Sequence, residues 1–137
     1  MIIDAFKKAY TIKLARNWNK IFVAVDLHDT IFKSDYGKEF ATEWVSAEAL
    51  IALQKMSMDP EICLIMYTCS HQKNIDLYME ELAKHDIHFD YANWNPEVPN
   101  TLLSDFSGKF YFNIMIDDKA GFVVDEWKDI VEFLNNN

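Results

Sequence analysis

The stretch 21–30, Ile-Phe-Val-Ala-Val-Asp-Leu-His-Asp-Thr, constrains the fold of this chain more than any other. Five apolar residues, three of them β-branched, end abruptly in polar side chains that begin at Asp26. A continuously apolar strand is typical of a parallel sheet that is covered on both faces. Open α/β sheets carry their ligand sites at the carboxyl ends of the strands. The stretch therefore predicts a central strand over 21–26 with functional groups directly after it.

Further strands and helices are predicted along the rest of the chain. Apolar runs predict four strands, at 21–26, 62–67, 87–91 and 110–116. Apolar residues at helical spacing predict four helices, at 2–15, about 44–56, about 72–85 and after Asp125, which would cap the last one. Ser70 is well placed to cap the third of these helices. This alternation predicts an α/β fold of three-layer α/β/α, Rossmann-like form, with a parallel sheet of about four or five strands and helices on both faces.

The length of 137 residues is enough for one domain with its own core. We expect a single domain over 1–137, in which residues 1–19 provide a helix appended to the core. The segments 31–42 and 93–108 predict surface loops, with Tyr36, Trp94 and Asn95 at the rim of any site. The intervals between the predicted strands have no room for a separate cap domain.

Charge and cysteine usage bound the partners and the compartment. The net charge of −9 repels polyanions and argues against nucleic acid as the main partner. No apolar run approaches the ~20 residues that span a bilayer, and the first residues are amphipathic rather than basic and then apolar. Cys63 and Cys69 flank the end of one predicted strand, too far apart for a disulfide. We therefore expect a cytoplasmic protein with no membrane contact.

Polar side chains follow three of the predicted strands, at the point where each strand ends. They are Asp26, His28, Asp29 and Thr30, then Thr68 and Ser70, then Asp117 and Asp118. Carboxylates that meet at one edge repel one another unless a cation lies between them. Oxygen ligands favour a hard divalent cation, and Mg²⁺ usually takes few carboxylates together with a substrate phosphate. The sequence therefore predicts a Mg²⁺ site at this edge.

The same groups suit phosphoryl chemistry. A carboxylate can attack phosphorus and form an aspartyl-phosphate, while a hydroxyl such as that of Thr68 and a lysine orient the phosphoryl group. Lys109 precedes the last predicted strand and is the preferred lysine, with Lys73 and Lys119 as alternatives. Receiver domains combine similar groups, but there the acidic pair comes early and the lysine comes late.

The order of these motifs resembles that of the haloacid dehalogenase (HAD) superfamily of phosphotransferases. The resemblance covers the chain from Ile21 to about Gly121 and is similar in detail to small bacterial and phage HAD proteins without a cap domain. It depends on four motifs, each at a strand boundary: Asp26-Leu27-His28-Asp29-Thr30, Ile65-Met66-Tyr67-Thr68, Lys109, and Ile116-Asp117-Asp118.

The resemblance implies roles for these residues. Asp26 would be the nucleophile and a Mg²⁺ ligand, and Thr68 would bind a phosphoryl oxygen. Lys109 would balance the charge of Asp26 and the phosphate. Asp117, Asp118 or both would bind the metal. His28 would offer its backbone carbonyl to the metal and its side chain to acid–base catalysis.

His28 is where the sequence departs from the family, which carries an aspartate at that position. Imidazole can donate and accept a proton near neutral pH, so it can serve as the general acid and base. A nearby divalent cation disfavours the protonated imidazole. Two hypotheses follow: a Mg²⁺-dependent phosphatase, or a catalytically weak or inactive domain that binds phosphate or a partner. An open, capless site could accept a small or a bulky phosphoester, or could be covered by a second subunit in a homo-oligomer.

Overall fold

The computed structural model describes residues 1–136. Its strands are β1 (Ile21–Asp26), β2 (Ile62–Tyr67), β3 (Tyr91–Ala92) and β4 (Ile114–Ile116). Its α-helices are α1 (Ile2–Ala15), α2 (Ala47–Met58), α3 (Gln72–Ala83) and α4 (Glu126–Asn135), and a short 3₁₀ helix spans Asp118–Ala120. Within residues 1–136, no helix combines the length and the apolar character that crossing a bilayer requires.

The four strands form one parallel sheet in the order β3-β2-β1-β4. β1 pairs along its whole length with β2, and Val23–Val25 pair with β4 on the other side. The chain thus moves from β1 outward through β2 and β3, and then returns to the opposite side of β1. This reversal leaves a crevice at the carboxyl end of β1, where ligand sites of such sheets lie. The predicted α/β, Rossmann-like class is confirmed, with four strands.

One face of the sheet carries the larger core. Alternate residues of β1 (Ile21, Val23 and Val25) pack there with buried side chains from every α-helix in the described part of the chain. α1 contributes Ile2, Phe6 and Ala9. The helix predicted over 2–15 is therefore present and is packed against the core.

The other face is covered in a different way. Phe22, Ala24, Cys63 and Ile65 point to this face and pack against Phe110, with partly buried aromatic residues of 91–112 around them. Right-handed crossovers from β1 to β2 and from β2 to β3 put α2 and α3 on the same face. The crossover from β3 to β4 is an irregular segment, 93–113, which agrees with the surface loop predicted over 93–108, so the helix that cover on both faces would require is absent from this described segment. The layer on this face is therefore built from loop and aromatic side chains.

β4 is shorter than the strand predicted over 110–116. Phe110 and Phe112 turn their rings onto the second face, where their centroids lie 5.8 Å apart. Asn113 then extends the pairing with β1 through its side chain, because its Oδ1 accepts a hydrogen bond of 2.8 Å from the Phe22 N–H. Packing of the aromatic rings thus replaces the predicted ladder over 110–112, whereas the Asn113 N–H still donates to the Phe22 carbonyl at 2.8 Å.

Two other boundaries differ from the predictions. α2 begins after Ser46, whose side chain accepts from the Ala49 N–H at 3.1 Å, because Trp44 still pairs with Phe32 in an isolated bridge. The strand predicted over 87–91 is reduced to Tyr91–Ala92. Ile87 instead closes the end of α3, where its N–H donates to the Leu82 carbonyl at 3.1 Å.

Neither predicted helix cap forms as expected. His71, rather than Ser70, is the N-cap residue of α3, and it makes no side-chain cap hydrogen bond. Asp125 is the N-cap residue of α4 but also lacks a side-chain bond. The buried carboxylate of Glu126 accepts from the Val123 N–H at 3.0 Å and from the Ile2 N–H at 3.1 Å, so it ties α1 to the start of α4.

Candidate functional site

Three carboxylates meet at the crevice beside the end of β1. Asp26 is the last residue of β1, and Asp117 and Asp118 follow β4, one residue beyond the paired Val25 and Ile116. Ligand oxygens of the three carboxylates all lie within 4.8 Å of one another, and each residue is partly buried. We refer to Asp26, Asp117 and Asp118 as the acidic cluster. The predicted convergence of these residues is observed.

The acidic cluster shifts the pKa of Asp26. Burial raises this pKa to about 7, and the negative charge of Asp117 and a hydrogen bond with Asp118 act in the same direction. The hydroxyl of Thr30 acts against the shift. The three carboxylates are therefore too close to be fully ionised together at neutral pH without a compensating cation.

Thr30 holds the two halves of the acidic cluster in place. Its fully buried hydroxyl lies 3.1 Å from Asp26 Oδ2 and 3.4 Å from Asp118 Oδ1, and it accepts from the Asp118 N–H at 3.1 Å. Its carbonyl accepts from the indole N–H of the buried Trp127 at 2.8 Å. Thr30 thereby links the end of β1 to the turn after β4 and to α4.

Across the crevice, hydrogen bonds connect His28 to the end of β2. Nε2 of His28 lies 3.2 Å from the Ser70 hydroxyl, which in turn lies 3.0 Å from the hydroxyl of Thr68. The imidazole also packs edge-on against the buried ring of Tyr78, with 5.8 Å between the ring centroids. The structure thus brings His28 and Thr68 into one network, with Ser70 between them.

Asn93 fixes the position of Thr68 through two hydrogen bonds at the end of β2. The Asn93 side chain accepts from the Thr68 N–H at 2.9 Å, and its own N–H donates to the Met66 carbonyl at 2.8 Å. Asn93 has a positive φ of 60°, a conformation that asparagine tolerates better than most residues. The irregular segment after β3 thus fixes the position of the phosphate-binding candidate.

Asp29, adjacent to His28, points to a different partner. Its carboxylate accepts from the N–H and the hydroxyl of Ser34, and these bonds lower its pKa. Its φ of 61° turns the chain sharply after His28. Asp29 therefore anchors the following loop and stands apart from the acidic cluster.

An open cavity of about 710 Å³ surrounds these groups. Five of the six site residues predicted from the sequence line it: Asp26, His28, Thr68, Asp117 and Asp118. The loop 34–41 forms its outer wall and includes Tyr36, as expected. The segment 93–107, also expected at the rim, lies against the second face of the sheet, with Asn95 buried there and bonded to the Tyr111 carbonyl at 2.9 Å.

The structure brings a different lysine to the cavity from the one preferred on sequence grounds. The ammonium of Lys109 lies over the ring of Phe112, 5.8 Å from its centroid, and Lys109 is not one of the lining residues. Lys38 and Lys119 do line the cavity, and Lys119 contributes to the lowered pKa of Asp29. Among the lysines considered from the sequence, Lys119 is the one at the site.

The sequence placed Ser70 at this edge of the sheet but did not predict the hydrogen bonds that Ser70 and Asn93 make in this site. A serine two residues before a helix suggests a cap, and only the folded chain shows its hydroxyl between Thr68 and His28. Asn93 had a usable signal, since an asparagine directly after a strand is a candidate for positive φ.

The donor set of the acidic cluster fits a hard divalent cation. Three carboxylates within 4.8 Å provide oxygen ligands only, and their mutual repulsion is what a cation would relieve. Asp26, Asp117 and Asp118 are the residues that would hold it.

The comparisons with known proteins bear on the fold. The sequence matches no family model and no curated protein. The fold is similar to the solved structure of a conserved protein coded by a locus from Bacteroides thetaiotaomicron, with a TM-score of 0.66 and 24% sequence identity. The match covers 86% of this chain and 92% of that chain. At this identity the likeness establishes the α/β fold alone.

Proposed function

We propose that this protein is a Mg²⁺-dependent phosphoester hydrolase of the HAD type that acts through an aspartyl-phosphate on Asp26. The observation that carries the proposal is the meeting of two unlike sets of groups in one open cavity. The acidic cluster lies on the side of β1 and β4, and the hydroxyl of Thr68, 3.0 Å from that of Ser70, lies at the end of β2. The free cysteines Cys63 and Cys69 suit the cytoplasm as the place where it acts.

In the first step, a carboxylate oxygen of Asp26 attacks the phosphorus of the substrate, and the bond to the leaving oxygen breaks. The protonated His28 gives its proton to that oxygen, so that the product leaves as an alcohol. Thr68 and Lys119 bind phosphoryl oxygens and oppose their negative charge. A bound divalent cation would supply charge neutralisation between Asp26 and the incoming phosphate.

In the second step, His28 takes a proton from a water molecule, and the water oxygen attacks the phosphorus. The bond between phosphorus and Asp26 breaks, which releases inorganic phosphate and restores the carboxylate. The network from His28 through Ser70 to Thr68 suits this exchange, because it keeps the imidazole next to the group that binds the phosphoryl oxygens.

The direct experiment measures phosphate release from a panel of phosphomonoesters with Mg²⁺ and with EDTA. Asp26→Asn should lower the rate at least about a thousandfold, because it removes the nucleophile. Asp125→Asn is the matched control, since this exposed carboxylate makes no side-chain hydrogen bond at the start of α4. Activity that survives Asp26→Asn would contradict the proposal.

A second candidate function is a domain that binds phosphate or a partner with little or no turnover. The observation that favours it is His28 itself, an imidazole at the position where phosphatases of the HAD type carry an aspartate. His28→Asp separates the two functions. A loss of turnover identifies His28 as the working acid and base, whereas a large gain shows that an enzyme of this type has been weakened at this position.

A further inference from the structure

We propose that the substrate is a small phosphomonoester whose leaving alcohol carries a positively charged amine. This inference builds on the proposed function and concerns the wall of the cavity that faces away from the acidic cluster. The acidic cluster, Thr68 and Lys119 would hold the phosphoryl group. The loop 34–41, which forms the outer wall of the cavity, would therefore contact the leaving alcohol.

The cavity lining carries more negative than positive charge. Six carboxylates line it against two lysines. A divalent cation at the acidic cluster would offset only part of this excess. A second anionic group on the substrate, in addition to its phosphate, would therefore be repelled by the lining, and a cationic group would be attracted.

Two of these carboxylates, Asp35 and Glu39, are on the outer wall and are only weakly neutralised. Asp35 lies 3.7 Å from the Lys38 ammonium, and Glu39 lies 3.7 Å from the Lys73 ammonium. Both pairs are exposed, and exposed ion pairs at such distances hold their partners loosely. The Glu39 carboxylate can therefore turn toward a substrate ammonium, and Asp35 can offer its Oδ2 while its Oδ1 accepts from the Gly37 N–H at 3.0 Å.

Aromatic side chains add a second attraction for a cation. Tyr36 is fully exposed on the same loop as Asp35 and Glu39, and Tyr67 is 43% exposed beside Thr68. Exposed aromatic rings next to carboxylates are suited to an ammonium group, because the face of the ring carries negative potential. The cavity of about 710 Å³ is of a size that holds a small molecule.

The test compares three monoesters of similar size with different charges: O-phosphoethanolamine, propyl phosphate and 2-phosphoglycolate. At low ionic strength and saturating Mg²⁺, kcat/KM should be about tenfold higher for O-phosphoethanolamine than for propyl phosphate, and lower again for 2-phosphoglycolate. Equal values, or a preference for 2-phosphoglycolate, would overturn the inference and leave the proposed hydrolase intact.

The double variant Asp35→Asn, Glu39→Gln should bring the value for O-phosphoethanolamine close to that for propyl phosphate. The matched control is Glu80→Gln, Glu132→Gln, which removes the same charge from exposed positions on α3 and α4 and should keep the preference. If both variants lose it equally, net charge rather than this wall selects the substrate, and the inference is wrong.

Absence of turnover with all three esters would count against the hydrolase. Calorimetric dissociation constants for the same three esters, measured with Mg²⁺, would then decide the inference separately. Tightest binding of O-phosphoethanolamine would support it, and equal binding of the three would overturn it.

Discussion

At the scale of single residues, Asp26 is governed by what lies near it in space. Its neighbours Val25 and Leu27 are apolar and would leave its pKa close to an ordinary value. Burial and the two carboxylates after β4 raise that pKa to about 7. Asp117 and Asp118 lie about 90 residues further along the chain, so the raised pKa of Asp26 is a consequence of the fold.

The first prediction concerns pH and stability without metal. The raised pKa means that the folded chain keeps a proton on Asp26 that the unfolded chain loses above about pH 4. The free energy of unfolding in EDTA should therefore contain a contribution that is fully present below pH 4 and is lost as pH rises through about 7. Denaturation curves between pH 4 and 8 measure it. Asp26→Asn should flatten the slope, and an unchanged slope would contradict the assignment.

The second prediction concerns Mg²⁺. Protons and the cation compete for Asp26, so the affinity for Mg²⁺ should weaken up to about tenfold for each pH unit below 7. Mg²⁺ should also raise the Tm at pH 8 by several degrees at 100 times its Kd, through about 2.7 kcal/mol of binding linkage. Calorimetry across pH tests both statements, with Ca²⁺ as the comparison ion. Binding that does not change with pH would contradict them.

The third prediction concerns Ser70, which lies between His28 and Thr68. Ser70→Ala removes a group that orients the imidazole and leaves the nucleophile in place. Alkyl phosphates need a protonated leaving oxygen, so their kcat should fall about ten- to a hundredfold. Aryl phosphates with an acidic leaving group should be affected much less. Equal losses for both classes would indicate a merely structural role, and Ser70→Thr is the variant that retains the hydroxyl.

At the scale of elements, the site depends on how strand ends are joined. β1 and β2 end at the residues predicted from the sequence, because their apolar runs stop there. The turn after β4 is held by Thr30, which bonds both Asp26 and Asp118. The sequence shows Thr30 as part of a motif but does not show that its hydroxyl connects two strands.

The fourth prediction tests that connection. Thr30→Val keeps the shape of the side chain but leaves the Asp118 N–H without its acceptor and Asp26 without its donor. The free energy of unfolding should fall by about 1–3 kcal/mol, and Mg²⁺ binding should weaken. Thr30→Ser retains the hydroxyl and should preserve Mg²⁺ affinity. Chemical denaturation and calorimetry of the two variants make the comparison, and similar Mg²⁺ affinities would contradict the role given to the hydroxyl.

At the scale of the whole molecule, the two faces of the sheet are covered unequally. The described helices contribute their buried side chains to one face, and Phe110 and its aromatic neighbours cover the other. Lys20 and Tyr91 both bond to Glu97 at 2.7 Å, which fastens the irregular segment over that second face. The same segment supplies Asn93, which bonds Thr68, so the segment that covers the second face also positions a residue of the site.

The fifth prediction concerns this cover. Phe110→Ala should lower the free energy of unfolding by about 3–5 kcal/mol, because it removes one of the two buried phenylalanine rings of the small second core. Leu102→Ala in the same segment is the control, since Leu102 is fully exposed and should change stability by less than about 0.5 kcal/mol. Urea denaturation measures both. Equal effects would mean that the segment does not pack as described.

The sequence by itself determined where β1 and β2 lie and which residues stand at their ends, because apolar runs of five and six residues between polar flanks have few other ways to be buried. It also indicated that Asp26, Thr68, Asp117 and Asp118 would meet, since parallel strands share one carboxyl edge. The tertiary structure alone decided that Ser70 joins Thr68 to His28 and that Lys119 rather than Lys109 lines the cavity. It also decided that the irregular segment 93–113 covers the second face of the sheet. Those outcomes depend on contacts between distant parts of the chain, which local pattern does not encode.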